Sequence, residues 1–199
     1  MSNIQVNNRK VLSDESYRLE EITFTSPDLD GRTLSKKNEV YFRPDAVAVL
    51  LADRQRSEFI MTRQLRLPVF LNPKGDDKGY LLEVCAGLLE EAETPEAAAI
   101  REVKEETGYT ITETLGVGAV YTSAGGITEY LHLFISEVTE EDRQDHWGGV
   151  EGEGEAIQLV RLSFAEAGKM LFEWKINDAK TMLLLQQYFN LQSMKPIGS

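Results

Sequence analysis

A chain of 199 residues, 42% of them hydrophobic, can bury one ordinary core with a small added element. The formal net charge of −12 argues against non-specific nucleic-acid binding, which needs Lys and Arg to neutralise phosphates; an anionic substrate would need a local arginine or a metal ion. One cysteine (Cys85) excludes an intramolecular disulfide, the polar start MSNIQVNNRK lacks the apolar stretch of a signal peptide, and the longest apolar run, residues 46–52, is too short for a bilayer, so a cytoplasmic protein with no membrane partner is expected.

Residues 1–44 read as strands only. Residues 17–25, YRLEEITFT, are rich in strand formers; a turn at 26–31 has Asp30-Gly31 as its strongest signal; 38–43, NEVYFR, alternates again. So small a piece buries little core alone and should pack on the main domain, on a second subunit, or on both. From Asp45 the character changes. Residues 46–52 predict a buried strand and Glu58–Leu65 the next. Residues 68–79, rich in Pro, Gly, Asn, Asp and Lys, predict a loop, and 80–84 a short strand. Thr94 and Pro95 open a helix as N-cap and first helical residue, and Gly108 closes it. Residues 115–122 and Tyr130–Glu137 predict strands, the second with Leu131, Leu133 and Ile135 on one face. The acidic, glycine-rich stretch 140–155 predicts a mobile functional loop, 157–162 a strand, and Phe164–Phe172 and 178–191 helices, with fraying from Met194. Strands and helices mix without strict βαβ alternation. That predicts an α+β fold, an α/β/α sandwich over residues 45–199, preceded by an antiparallel β segment over 1–44.

The chemistry concentrates in residues 87–109, GLLEEAETPEAAAIREVKEETGY. Glu102 and Glu106, four apart, share one helix face, with Glu105 close to it. Like charges at this spacing repel in water, whereas carboxylate oxygens are what Mg²⁺ or Mn²⁺ prefers. Arg101, four before Glu105, can orient it. Alone, E-x-x-E-E reads as a solvated acidic face. The fuller pattern reverses that reading: Gly87, five residues, Glu93, seven residues, then Arg101-Glu102, Val103, Glu105-Glu106, Gly108 and Tyr109. It resembles the Nudix box at every fixed position, with Tyr109 where an aliphatic residue is more usual.

The resemblance extends over nearly the whole chain to the ADP-ribose pyrophosphatase and GDP-mannose hydrolase branch of that superfamily. It is carried by VLSDESYRLEEITF, RQLR at 63–66, LLEVCAGLLE, TSAGGITE at 122–129 and NDAKTMLLLQ; the first, fourth and last look closer to the GDP-mannose enzymes. Ala124 stands where the branch usually has Pro. The resemblance implies a Nudix fold and Mg²⁺, with Mn²⁺ as the alternative ion. It implies Glu102, Glu106 and the carbonyl of Ala86 as ligands, with Glu105 a further ligand, directly or through water, and part of the catalytic set. In the acidic loop it implies Glu153 as base, Glu151 as its rival and Glu155 as a ligand. Arg66 resembles the arginine that holds the pyrophosphate; its neighbour Arg63 is a second substrate-binding candidate, whose other reading is a surface strand residue. The implied reaction is hydrolysis of a nucleoside diphosphate sugar, GDP-mannose first, to a nucleoside monophosphate and a sugar phosphate, with ADP-ribose as rival substrate. A homodimer exchanging its N-terminal segments is also implied. A non-catalytic nucleotide sensor on this fold would lack box glutamates or carry a DNA-binding helical domain, and an isomerase would use a Cys or His metal site; neither pattern is present.

Other residues have plainer readings. Cys85 reads as a small core residue. His132 and His146 are too far apart to spell a zinc site. Gly125-Gly126 divides evenly between a turn and close approach of backbone to a phosphate. Tyr17 divides between stacking on a nucleobase and core packing.

Overall fold

The computed structural model describes residues 4–76, 78–144 and 157–194. The chain divides into two compact units, Met1–Asp45 with Val120–Leu131, and Ala46–Ala119 with His132–Ser199.

The first unit is built on an antiparallel sheet of β1 (Gln5–Asp14), β2 (Arg18–Pro27) and β3 (Thr33–Tyr41), in that order. The β2–β3 turn forms where Asp-Gly predicts it: Asp28 Oδ1 accepts the N–H of Asp30 at 2.9 Å and of Arg32 at 2.7 Å, and Gly31 takes a φ of +81°. Strand β1 is exposed along almost its whole length, so its sequence QVNNRKVLSD shows no alternation by which to recognise it. Glu20 on β2 is fully buried and is answered by Arg18 at 2.5 Å and Arg9 at 3.4 Å. Residues 120–131 complete the unit. Tyr41 donates its N–H to Gly126 O at 2.8 Å, and the Thr128 hydroxyl accepts from Arg43 N at 2.9 Å and donates to Arg43 O at 3.0 Å.

In the second unit, β4 (Ala46–Asp53) and β5 (Glu58–Leu65) lead through α1 (Leu67–Leu71) to β6 (Tyr80–Glu83) and β7 (Cys85–Leu88). Then follow α2 (Pro95–Thr107), β8 (Leu115–Tyr121), β9 (Tyr130–Glu137), a 3₁₀ turn at Glu140–Asp142, β10 (Gln158–Ser163), α3 (Phe164–Phe172) and α4 (Ala179–Met194). The strand order is β10-β5-β4-β9-β8, with β6 on β5 and β7 on β4. All eight residues of β4 are buried, because both its faces are covered. Val47, Val49 and Leu51 join Ala98, Ala99 and Val103 of α2 in one core. Helix α4 also packs on β4, and Phe59, Phe164 and Tyr188 stack in a second cluster, with ring centroids 4.5–5.2 Å apart. Each such side chain contributes about 1.5–3 kcal/mol by leaving water. The α/β/α sandwich expected from the sequence is therefore the observed fold.

Two short elements differ from expectation. Helix α1 occupies the start of the stretch read as loop; with five residues and Pro68 at its first turn, it is too short to show a period. Strand β7 is only four residues, CAGL, without the β-branched or aromatic side chains that mark a strand. Between β6 and β7 the pairing changes partner: Thr62–Leu65 of β5 take β6, and Ala46–Val49 of β4 take β7. The backbone N–H of Val84, at the switch, donates instead to Thr181 Oγ1 at 2.9 Å. Among the described residues no helix is long and apolar enough to cross a membrane.

Candidate functional site

Helix α2 is placed by its ends and its small face. Thr94 Oγ1 accepts the N–H of Ala97 at 3.2 Å, Pro95 occupies the first turn, and Gly108 closes the helix at φ +71° with its N–H on Lys104 O. Ala98, Ala99 and Val103 are fully buried, so the helix lies close to β4 and β7 and Glu102 and Glu106 come against the backbone of β7.

At that contact there is no room for a side chain on β7. A Cβ at Gly87 would stand 1.9 Å from Glu102 Cδ and 2.0 Å from its Oε1, so only glycine fits. Glu106, 8% exposed, accepts the N–H of Ala86 at 3.1 Å. Burial foremost, then the charge of Glu102, raises its pKa to about 7 against the pull of Cys85, the Ala86 N–H and Arg66. Burial likewise raises the Glu102 pKa, although Arg101 draws it down. Cys85 is fully buried, and burial followed by the Glu106 charge pushes its thiol well up, so it is a core residue rather than a nucleophile.

Arg101 organises the acids around it. Its Nε and Nη2 donate to the two oxygens of Glu93 at 3.0 and 2.9 Å, and Nη2 also donates to Leu88 O at 2.9 Å. Nη1 donates to Glu102 at 2.8 Å and to Glu105 at 2.9 Å. Arg101 thus binds the segment after β7 to the helix and sets two glutamates side by side. Its contact holds the Glu93 carboxyl below its ordinary range.

Arg66 follows β5. Its guanidinium meets Glu83 through Nε at 2.7 Å and Nη2 at 3.4 Å, and its side chain stays 33% exposed. Glu83 also receives Lys180 Nζ, which donates to Asp178 Oδ1 at 2.9 Å. Glu83, Asp178 and Lys180 escaped sequence reasoning; the available signal was an acid inside the apolar strand YLLEVC. Arg63 is exposed on β5 and lies over the Tyr80 ring at 5.8 Å.

In the first unit, Tyr17 carries the Arg43 guanidinium 4.7 Å from its ring centre and meets Tyr41 edge-on; Arg43 pairs with Glu129 at 3.1 Å. Gly125 and Gly126 lie in a turn, where Ser123 O accepts from Gly126 N at 3.1 Å and Ile127 N at 3.0 Å. Neither needs a positive φ, and a Cβ on either would meet nothing closer than 4.0 Å. Fold geometry therefore does not demand these two glycines. The turn also forms with Ala124 in place of Pro. Glu151, Glu153 and Glu155 lie outside the described residues.

Residues 42–185 match the NUDIX domain. The chain belongs to the Nudix family. Among its Nudix relatives, a GDP-mannose pyrophosphatase of Cronobacter sakazakii is 40% identical over 184 residues, 92% of this chain and 94% of that protein. A GDP-mannose pyrophosphatase of Pectobacterium atrosepticum is 39% identical over 185 residues, 93% of each chain. The crystal structure of an ADP compounds hydrolase aligns with a TM-score of 0.69 at 16% identity, over 96% of this chain and 94% of that one, a likeness of fold. As a Nudix hydrolase the chain is an enzyme. Tyr109, the box's departure, is explained by its surroundings: the ring fills the α2 core, and the hydroxyl accepts from Arg161 at 3.0 Å.

Nudix hydrolases generally use a divalent cation. The residues around α2 fit such an ion: all donors are oxygen, and a nearly buried carboxylate at Glu106 stands beside Glu102 with its pKa raised, the protonation that a cation would relieve. Among the described residues no three acidic, histidine or cysteine side chains already converge on one point. Arg101 holds Glu102 and Glu105, while Glu106 is turned to the Ala86 N–H.

Proposed function

We propose that this Nudix hydrolase cleaves the diphosphate link of a nucleoside diphosphate sugar, GDP-mannose first, releasing a nucleoside monophosphate and a sugar phosphate. The carrying observation is Glu102 and Glu106 packed against a strand cleared of side chains at Gly87, with Glu105 drawn beside Glu102 by Arg101. The full-length likeness to GDP-mannose pyrophosphatases supports the substrate. Glu102, Glu106, the Ala86 carbonyl and Glu155 would hold Mg²⁺, with Glu105 beside them. When bound, the ion neutralises diphosphate oxygens and makes water a stronger nucleophile. Arg66 holds the diphosphate with its exposed fork edge, and Glu153, with Glu151 as its rival, takes the proton of the attacking water. Arg63, exposed on β5 and lying over Tyr80, is a second candidate for binding the substrate.

The enzyme works as a cytoplasmic homodimer joined through its N-terminal sheet. Ile4, Val6, Val11, Leu12 and Leu34 leave 41–59% of their surface exposed there, an apolar display that a second copy would cover. A monomer in sedimentation at micromolar concentration overturns that arrangement.

The decisive experiment incubates the purified protein with Mg²⁺ and GDP-mannose, ADP-ribose and other nucleoside diphosphate sugars, with products identified by chromatography. GDP-mannose is expected to have the highest kcat/KM. Absence of turnover of every substrate overturns the hydrolase reading.

A further inference from the structure

Arg66 carries a long side chain with a third of its surface in solvent, yet its guanidinium is not left to wander. Its backbone is fixed separately, with the N–H on Gly79 O at 2.8 Å, so only the side chain needs a holder. That holder is Glu83, 2% exposed on β6, which takes two guanidinium nitrogens at 2.7 and 3.4 Å. A buried carboxylate is tolerated only when paired, and Glu83 is doubly paired, to Arg66 and to Lys180.

A plainer role would be to fasten α4 to the sheet through Lys180. That work is already done by Thr181. Its hydroxyl accepts the Val84 N–H at 2.9 Å and donates to Asp178 at 2.6 Å, and its own N–H also reaches Asp178, at 3.0 Å. What Thr181 does not supply, and Glu83 does, is a hold on the Arg66 fork.

We propose that Glu83 is a positioning residue. It presets the Arg66 guanidinium so that the substrate diphosphate meets an ordered fork instead of ordering a free one. This rests on the reading that Arg66 holds the diphosphate.

The test is a double-mutant cycle with Mg²⁺ and GDP-mannose on the full chain: wild type, Arg66→Ala, Glu83→Gln and both together, each with a thermal melt. Arg66→Ala is expected to lower kcat/KM by about a hundredfold and Glu83→Gln by about tenfold, chiefly through KM. The double variant is expected to be no worse than Arg66→Ala, since Glu83 has nothing left to position. If Arg66→Ala leaves kcat/KM unchanged, the diphosphate role of Arg66 is overturned. If Arg66→Ala is impaired but Glu83→Gln stays within about twofold of wild type, or the two losses multiply, the role of Glu83 is overturned. Should Glu83→Gln melt too early to assay, Glu83→Asp keeps the charge but withdraws it by one methylene, and the same pattern is expected.

Discussion

Arg101 and Arg66, both in the sandwich unit, meet buried or half-buried acids in different ways. Arg101 is enclosed, 23% exposed, and its donors are spread over Glu93, Glu102, Glu105 and the carbonyl of Leu88. Arg66 leans on Glu83 and keeps a third of its side chain in solvent. The first has the surroundings of a structural clamp; the second, on the proposed reading, is a group held for the diphosphate.

That contrast can be broken in several places. The largest effect is expected from Glu102→Gln, which keeps the shape against Gly87 but removes the charge: kcat should fall at least about a hundredfold, and unchanged turnover would remove α2 from the chemistry. Next, Arg101→Ala leaves Glu93 and Glu102 without their guanidinium and should cost about 3 kcal/mol in denaturant unfolding. Arg66→Ala should cost less than half of that, because Glu83 keeps Lys180; equal losses would erase the distinction. Arg101→Lys should not restore stability, since an ammonium cannot span three carboxylates.

The Glu106 carboxyl predicts a pH effect, best measured with chelator present. Its pKa lies near 7 in the folded chain against an ordinary value of 4.5, so between those values the folded protein holds a proton that the unfolded chain has lost. Stability from this group is complete below 4.5, falls as pH rises toward 7, and is lost above, by a total on the order of 3 kcal/mol. Glu102, also raised, adds to the same slope, whereas Glu93, held low, opposes it at more acid pH. Glu106→Gln should flatten the profile, and an unaltered slope would assign it elsewhere. The smallest effect is that of Thr94→Ala, about 1 kcal/mol from the lost cap of α2.

Much of this was legible in the sequence where a residue's neighbours lie close along the chain. Thr94, Pro95 and Gly108 bound α2 as read, and the stretch now seen as β4 was recognisable as a continuous apolar run. Legibility failed where meaning comes from distant partners. Glu83 meets Arg66 across a strand pair and Lys180 from a helix ninety-seven residues away, and nothing in YLLEVC shows that. Gly87 reads as one fixed position of a motif, whereas its reason, a carboxylate lying where its Cβ would be, appears only in three dimensions. Strand β1 is defined by its pairing with β2, which leaves no mark on a solvent-facing sequence.

Strand β4 has one more consequence. Every residue in it is buried, and Ala86 and Gly87 hang on it through the pairs Ala48↔Ala86 and Val47↔Gly87. The strand under the glutamates therefore cannot part from β4 without dismantling the sandwich. The amide hydrogens of β4 itself should trade with deuterium at rates that track global unfolding, while the Ala86 N–H, which Glu106 accepts and β4 does not, should report on the contact of α2 with β7.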